Sequence, residues 1–181
     1  MHPLLQERWS PRSFDENIRI SSEDLLAILE AGRWSPSSNN FQPWRFIVAK
    51  NGFNNFVAIS ETLSGFNREW APRASAFIDL TAVMFDDSNQ PRNQSLYDLG
   101  IASAYMTLEA NNRGLAVHQV GGFDREAIRE SFQLSEKMTP VAILVIGKQA
   151  EAEILSHENL ITREKSSRVR KDFSELILSS D

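Results

Sequence analysis

What most constrains the fold of this chain is the way its apolar pattern changes period from segment to segment. Leu25, Leu26, Ile28 and Leu29 recur at helical spacing behind the start signal Ser21-Ser22-Glu23-Asp24, and Gly32 reads as a C-terminal stop. Residues 45–49 and 76–83 read as strands, the first bounded by Pro43 and Gly52, the second by Pro72 and the polar stretch 86–94. The period then returns to that of a helix over 95–112, where Leu96, Leu99, Ser103, Met106 and Ala110 recur and Gly114 lies beyond the end. Gly100, Ala102, Ser103 and Ala104 would let a second helix approach this one closely, in a buried central helix, at a subunit interface or as ordinary core packing. A strand near 115–120, a helix near 124–132 and the strongly apolar strand 141–146 complete a mixed order of α and β. Alternation of this kind alone suggests a doubly wound sheet. None of the eight glycines, however, falls into a Gly-x-Gly-x-x-Gly or Gly-x-x-x-x-Gly-Lys pattern, so neither a Rossmann nor a P-loop site is visible.

With no internal repeat and no linker, the 181 residues are expected to form one domain, 1–181, of a size that buries roughly 70% of its unfolded surface. The net charge of −5 and the lack of a Lys/Arg-rich run argue against nucleic acid as a partner. No apolar run approaches a membrane span and the N-terminus carries no signal pattern, which sets a cytoplasmic, membrane-free expectation. Without a cysteine there is no thiolate nucleophile, disulfide or iron–sulfur cluster, so redox chemistry would need a bound organic cofactor. His2, His118 and His157 do not cluster, no metal-ligand spacing is apparent, and His118, in a predicted strand, reads as structural.

One polar segment stands apart. Ser35-Pro36-Ser37-Ser38-Asn39-Asn40-Phe41-Gln42-Pro43-Trp44 is rich in hydroxyls and amides, bracketed by prolines that stiffen it, and runs straight into Phe46-Ile47-Val48. It offers donors and acceptors but almost no titratable group, which suits gripping a neutral heteroaromatic or phosphate-bearing ligand better than proton transfer. A turn that caps the next strand is the alternative.

This loop resembles the Pro-Ser-Ser-x-Asn-x-Gln-Pro-Trp signature of the nitroreductase family of FMN-dependent oxidoreductases, and further segments agree in order. Arg8-Trp9-Ser10-Pro11-Arg12-Ser13-Phe14 is similar to the family's Arg-x-Ser-x-(Arg/Lys)-x-Phe stretch, and Asn67 stands seven residues before Ala74-Ser75 as does the family's flavin-ring asparagine. Gly121-Gly122-Phe123-Asp124 resembles its Gly-Phe loop, and Arg168-x-Arg170 its basic pair. The resemblance runs from about Leu4 to Leu178. It implies an α+β sandwich, a mixed and mostly antiparallel sheet flanked by helices, assembled as an intertwined homodimer with two flavin sites at the interface.

It also implies roles. Arg8, Arg168 and Arg170, with Trp9 and Ser10 in the same segment, would bind the FMN phosphate, which suits forked permanent cations. Arg12 would face the flavin N1/O2 edge, where a fixed cation favours the reduced ring. Asn67 would bond the pyrimidine edge, and Gly121 and Gly122 would bring backbone N–H groups near N5. Pro36, Ser37, Ser38, Asn40 and Gln42 would reach the flavin of the other subunit. NADH or NADPH would deliver a hydride and leave in a ping-pong cycle, with nitroaromatics, quinones or similar electrophiles as acceptors. One departure stands out: Trp70 occupies a position, three after the asparagine, where several members carry a second cation, and Arg73 is the nearby substitute. Phe41, Phe66 and Trp70 could form an aromatic substrate wall over the flavin, or be simple core. Two other readings stay open: a flavin-binding or sensor protein with little turnover, and a specialised member performing reductive dehalogenation or flavin cleavage, for which residues 86–94 are the lid candidate.

Overall fold

The computed structural model describes residues 1–179. Along the chain run α1 (Pro3–Glu7), α2 (Ser22–Arg33), β1 (Trp44–Lys50), α3 (Asn54–Thr62), α4 (Asn67–Trp70), β2 (Ala76–Val83), α5 (Ser95–Asn112), β3 (Ala116–Val120), α6 (Arg125–Ser131), β4 (Met138–Gly147), α7 (Glu158–Lys165) and α8 (Phe173–Leu176). The strands form one sheet in the order β1-β2-β4-β3. All three pairings are antiparallel, so the parallel component implied by a mixed sheet is not seen among the described residues.

Successive strand side chains point to opposite faces, and here both faces are covered. From the two central strands, Ile78, Leu80, Leu144 and Ile146 join Leu25, Ile28, Leu99 and Met106 of α2 and α5. Phe77, Ile143 and Val145 join Phe56 and Ile59 of α3 and Ile128 of α6 on the other face. This double burial explains why residues 141–146 read as continuously apolar instead of alternating. The result is a helix–sheet–helix sandwich, α+β in class.

Local signals hold at most helix ends. Ser21 caps α2, its hydroxyl accepting from the Asp24 N–H at 2.9 Å, with Glu23 and Asp24 complementing the dipole in the first turn. Past α5, Gly114 adopts φ +69° and its N–H returns to the Asn111 carbonyl at 2.9 Å, a left-handed C-terminal cap. Gly32 does not terminate α2, which runs on to Arg33 with Trp34 as its cap. Its role is steric: a Cβ there would sit 2.8 Å from the Met106 sulfur and 3.2 Å from Phe46, so glycine lets α2 close onto α5 and the sheet. In α5 itself, Ala102 and Ser103 are buried, whereas Gly100 and Ala104 lie on an exposed face with Leu96, Tyr97 and Tyr105. Residues 86–91 form a closed turn rather than an open flap. The Asp86 N–H donates to the Gln90 carbonyl, the Asp86 carboxylate accepts from the Gln90 N–H at 2.8 Å, and Lys137 donates to the Asp86 carbonyl. No helix of the described residues is long and apolar enough to cross a membrane.

Candidate functional site

The two ends of the chain meet in a cleft of about 360 Å³ beside β3, lined by Arg8, Trp9, Ser10, Arg12, His118, Arg163, Ser166 and Arg170. The N-terminal segment leaves α1 at Arg8, whose guanidinium donates to the Ser10 hydroxyl at 2.8 Å. The C-terminal segment is fastened to it by Arg168, which donates to the carbonyls of Gln6 and Arg8, the latter at 3.0 Å. Partial burial lowers the pKa of Arg8, and the neighbouring charges of Arg170 and Arg168 lower it further. Burial likewise lowers that of Arg12, with Glu164 opposing and Arg163 adding to the shift. Among the described residues none of Arg8, Arg12, Arg163, Arg168 or Arg170 forms a salt bridge. Guanidinium groups gathered without carboxylate partners make a site for an anion, and their forked donors match phosphate.

His118 forms part of the cleft wall. Its Nδ1 lies 2.9 Å from the Pro11 carbonyl and its ring packs 4.7 Å from Trp70. Burial pulls its pKa down to about 4 against the pull of the Pro11 carbonyl, with Arg12 pushing the same way as burial, so the ring is neutral at pH 7. Trp70 also stacks on Phe14 at 6.1 Å and is 1% exposed. This corrects the aromatic-wall expectation: Trp70 is core beneath the cleft and presents no face to a substrate. Arg73 is anchored elsewhere, donating to the Ile154 carbonyl at 3.0 Å.

The same short helix carries Asn67, whose Nδ2 donates to the Gly122 carbonyl at 3.2 Å, leaving Oδ1 to accept from a ligand donor. The Ser64 N–H donates to that carbonyl at 3.0 Å, and an antiparallel bridge between Leu63 and Phe123 fixes the two segments to each other. A Cβ on Gly122 would lie 2.9 Å from Asn67 Nδ2, whereas one on Gly121 would meet nothing within 4 Å. Gly122 is thus required by the Asn67 contact, and Gly121 faces open space. Phe66 is half exposed with its ring edge-on to His157 at 5.5 Å, and His157 Nε2 lies 2.7 Å from Glu69.

The polar loop lies elsewhere in the chain, against the start of α5. The Ser38 N–H donates to Asp98 at 3.2 Å, the Gln42 N–H to the Ser37 hydroxyl at 3.0 Å, and the Gln42 side chain to Asn40 Oδ1 at 3.2 Å. Asn39, Asn40 and Gln42 hold φ of +49°, +55° and +48° around a right-handed Phe41 at φ −68°, left-handed positions that cost non-glycine residues free energy. Pro36 is exposed at its entrance, and Phe41 lies under the Arg92 guanidinium at 4.1 Å. Phe41, Phe66 and Trp70 therefore occupy three separate settings and form no common wall within a chain.

The structure thus brings together Arg8, Trp9, Ser10, Arg12 and Arg170 in the cleft, with Arg168 lining the adjoining cavity, and separately Asn67 with Gly122. Trp70 against His118 joins the two groups. Arg163, Glu164 and Ser166 were missing from the sequence reading, because a charged helix such as Glu158–Lys165 looks like any solvated surface; only its position just ahead of Arg168 hinted at them.

Fold and site define an α+β sandwich with an arginine-lined cleft and, beyond its His118–Trp70 wall, an Asn67–Gly122 contact. This is the nitroreductase fold, and the chain belongs to the Nitroreductase family, whose sequence profile matches residues 5–148. A Bacillus subtilis protein named for NAD(P)H nitroreduction, YdgI, is 28% identical over 190 residues, covering 82% of this chain and 88% of its own. An oxygen-insensitive NADPH nitroreductase of Helicobacter acinonychis is 42% identical over 98 residues, 52% of this chain and 45% of its own. Among solved structures, an oxidoreductase containing FMN superposes with a TM-score of 0.87 at 31% identity, over 93% of this chain and 87% of that one. A structure from Exiguobacterium sibiricum in complex with FMN superposes at 0.81 with 23% identity, over 98% and 95% respectively, a likeness of fold.

Proposed function

We propose that this protein is an FMN-dependent oxidoreductase that accepts a hydride from NADH or NADPH and passes two electrons to nitroaromatics, quinones or similar electrophiles in a ping-pong cycle. The observation that carries this reading is the set of guanidinium groups without carboxylate partners in the cleft, whose wall residue His118 packs on Trp70 of the short helix that carries Asn67. The residues fit FMN: the arginines and Ser10 supply donors for a phosphate, Asn67 Oδ1 is available for a ring N–H, and the open space at Gly121 admits a flat ring against the backbone. When bound, FMN supplies the hydride and electron chemistry. The chain's own part is binding and electrostatics: Arg8, Arg168 and Arg170 hold the phosphate, Arg12 sets a positive field at the ring edge, and neutral His118 keeps the wall free of a further charge. The relatives named for NAD(P)H-dependent nitroreduction and the FMN-containing structure at 31% identity support this assignment.

The active unit in this proposal is a homodimer formed by a single-domain chain. Pro36, Ser37, Ser38, Asn40 and Gln42 lie away from the arginine cleft of their own chain, and in the dimer they would approach the partner's flavin. Tyr97 on α5 and Val169, Phe173 and Leu178 in the C-terminal segment are large apolar side chains left exposed by a lone chain, as expected of surfaces buried in an assembly.

The test begins with the visible spectrum of the freshly purified protein and identification of any chromophore released on denaturation. Flavin bands with about one FMN per chain, and NAD(P)H consumption with an added quinone well above that of free FMN, are the expected results. A flavin-loaded protein that turns over no faster than free FMN would replace the enzyme with a flavin-binding or sensor protein. A colourless protein that takes up no FMN would refute the cofactor assignment.

A further inference from the structure

Two adjacent residues of α7 face opposite ways at the arginine cleft. Glu164 turns inward and is only 9% exposed. Its carboxylate accepts from the Arg12 N–H at 2.8 Å and lies 2.8 Å from the hydroxyl and 3.5 Å from the N–H of Ser13. Ser13 is itself fully buried, with its hydroxyl also 2.8 Å from the Ala150 carbonyl. Arg163 turns outward and lines the cleft.

The cleft's arginines differ in what they are already doing. Arg8 is bonded to Ser10, Arg168 to the carbonyls of Gln6 and Arg8, and Arg170 to the Val169 carbonyl at 2.8 Å. The guanidinium groups of Arg12 and Arg163 make no hydrogen bond among the described residues, so their donors are uncommitted. These are the two arginines joined through Glu164, one by its backbone N–H and the other by chain adjacency. A buried carboxylate fixed by several donors makes a rigid bracket, and this one lines the adjoining cavity with Trp9, Ser166 and Arg168 and not the arginine cleft itself.

We propose that Arg163 is a further ligand of the cofactor phosphate and that Glu164 is the positioning residue that presents Arg163 to it by fastening α7 to the Arg12–Ser13 backbone. The inference rests on the FMN reading above. Arg163 lies outside the Arg-x-Ser-x-Arg and Arg-x-Arg segments, and α7 becomes a third contributor to the anion site.

The test compares FMN with riboflavin, which has the ring and ribityl chain but no phosphate. The full chain, stripped of flavin, is titrated with each ligand and the quenching of flavin fluorescence is followed. Arg163→Ala is expected to weaken FMN binding roughly ten- to a hundred-fold, the loss of one charge-assisted hydrogen bond, and to leave riboflavin binding unchanged. Arg163→Lys, which keeps the charge but not the fork, is expected to recover part of the loss. Glu164→Gln is expected to weaken FMN more than riboflavin, with a thermal melt confirming that the variant is folded. Equal FMN affinity in Arg163→Ala and the parent would overturn the ligand role. Equal losses of FMN and riboflavin in Glu164→Gln would reduce Glu164 to a structural brace and overturn the positioning role. If the parent binds neither flavin, the cofactor assignment itself fails and this inference fails with it.

Discussion

Asp79 should make this protein less stable as the pH rises through the mildly acidic range. It lies in β2 between Ile47 of β1 and Ile143 of β4, with no exposed surface. One carboxylate oxygen accepts the Thr81 hydroxyl at 2.6 Å, and the other, Oδ2, has no hydrogen-bond partner among the described residues. Burial pushes its pKa up from 3.8 to about 6, outweighing the opposing pull of the Thr81 hydrogen bond and the Arg125 charge. The folded state therefore prefers the protonated form. Well below pH 3.8 the carboxyl is neutral in both states and imposes no penalty. Between about 4 and 6 the unfolded chain releases the proton first, so stability falls as pH rises, and above 6 the whole penalty applies. A difference between 3.8 and about 6 corresponds to roughly 3 kcal/mol. Asp79→Asn removes the ionisation and keeps an oxygen to accept from Thr81. The variant should gain up to about 3 kcal/mol at pH 8, a rise in Tm of roughly 6–12 °C for a chain of this length, and the gain should shrink to under about 1 kcal/mol near pH 4. Thermal or urea unfolding of both proteins at intervals from pH 4 to 8, at fixed protein and ligand concentration, measures it. A gap that does not change with pH, or a variant less stable than the parent at pH 8, would refute the reasoning.

Trp70→Ala should lower stability by about 3–5 kcal/mol, read as a fall in the urea midpoint; a variant of unchanged stability but altered KM for the acceptor would restore Trp70 to the substrate pocket. Gly122→Ala should displace Asn67, since the new Cβ would lie 2.9 Å from its Nδ2 and 3.1 Å from the Ser64 hydroxyl, and a lower flavin content per chain after purification would report it. Gly121→Ala, whose Cβ meets nothing in the chain, should leave Tm unchanged, so any loss of flavin from that variant would come from the ligand side.

The sequence was legible where periodicity and end signals act together. The limits of β2 and α5 follow from the expected 76–83 and 95–112, because each is an unbroken pattern between polar or proline-marked boundaries. α3 went unread: its N-cap is Phe53 with no side-chain cap, and only Phe56, Ile59 and Thr62 are buried in nine residues. α4, of four residues, is too short to show a period. Gly32 was misread because a glycine near a helix end is ordinarily a stop, and only the approach of Met106 from a distant helix reveals its steric role. At the site, motif spacing brought forward Arg8, Ser10, Arg12 and Arg170, which do converge. Trp70 was misplaced because nothing in a linear chain distinguishes an indole over a ligand from one packed beneath it. Glu164 was invisible for a related reason: its partners, Arg12 and Ser13, are about 150 positions away.

That separation bears on how the anion site exists at all. Its arginines come from the two ends of the chain, and their charges repel, as the depression of Arg8 by Arg170 and Arg168 records. The forces holding them together in the chain are therefore uncharged or oppositely charged contacts behind the cleft: Arg168 on the carbonyls of Gln6 and Arg8, and Glu164 on the Arg12 N–H and Ser13. An anion bound among the guanidinium groups replaces repulsion with attraction in the same place. By linkage, it must favour the arrangement in which the C-terminal segment is docked on the N-terminal one over any arrangement in which they separate. In the proposed FMN complex, occupancy of the cleft and docking of the two ends would be linked equilibria, with Glu164 bonded to one end and carried by the other.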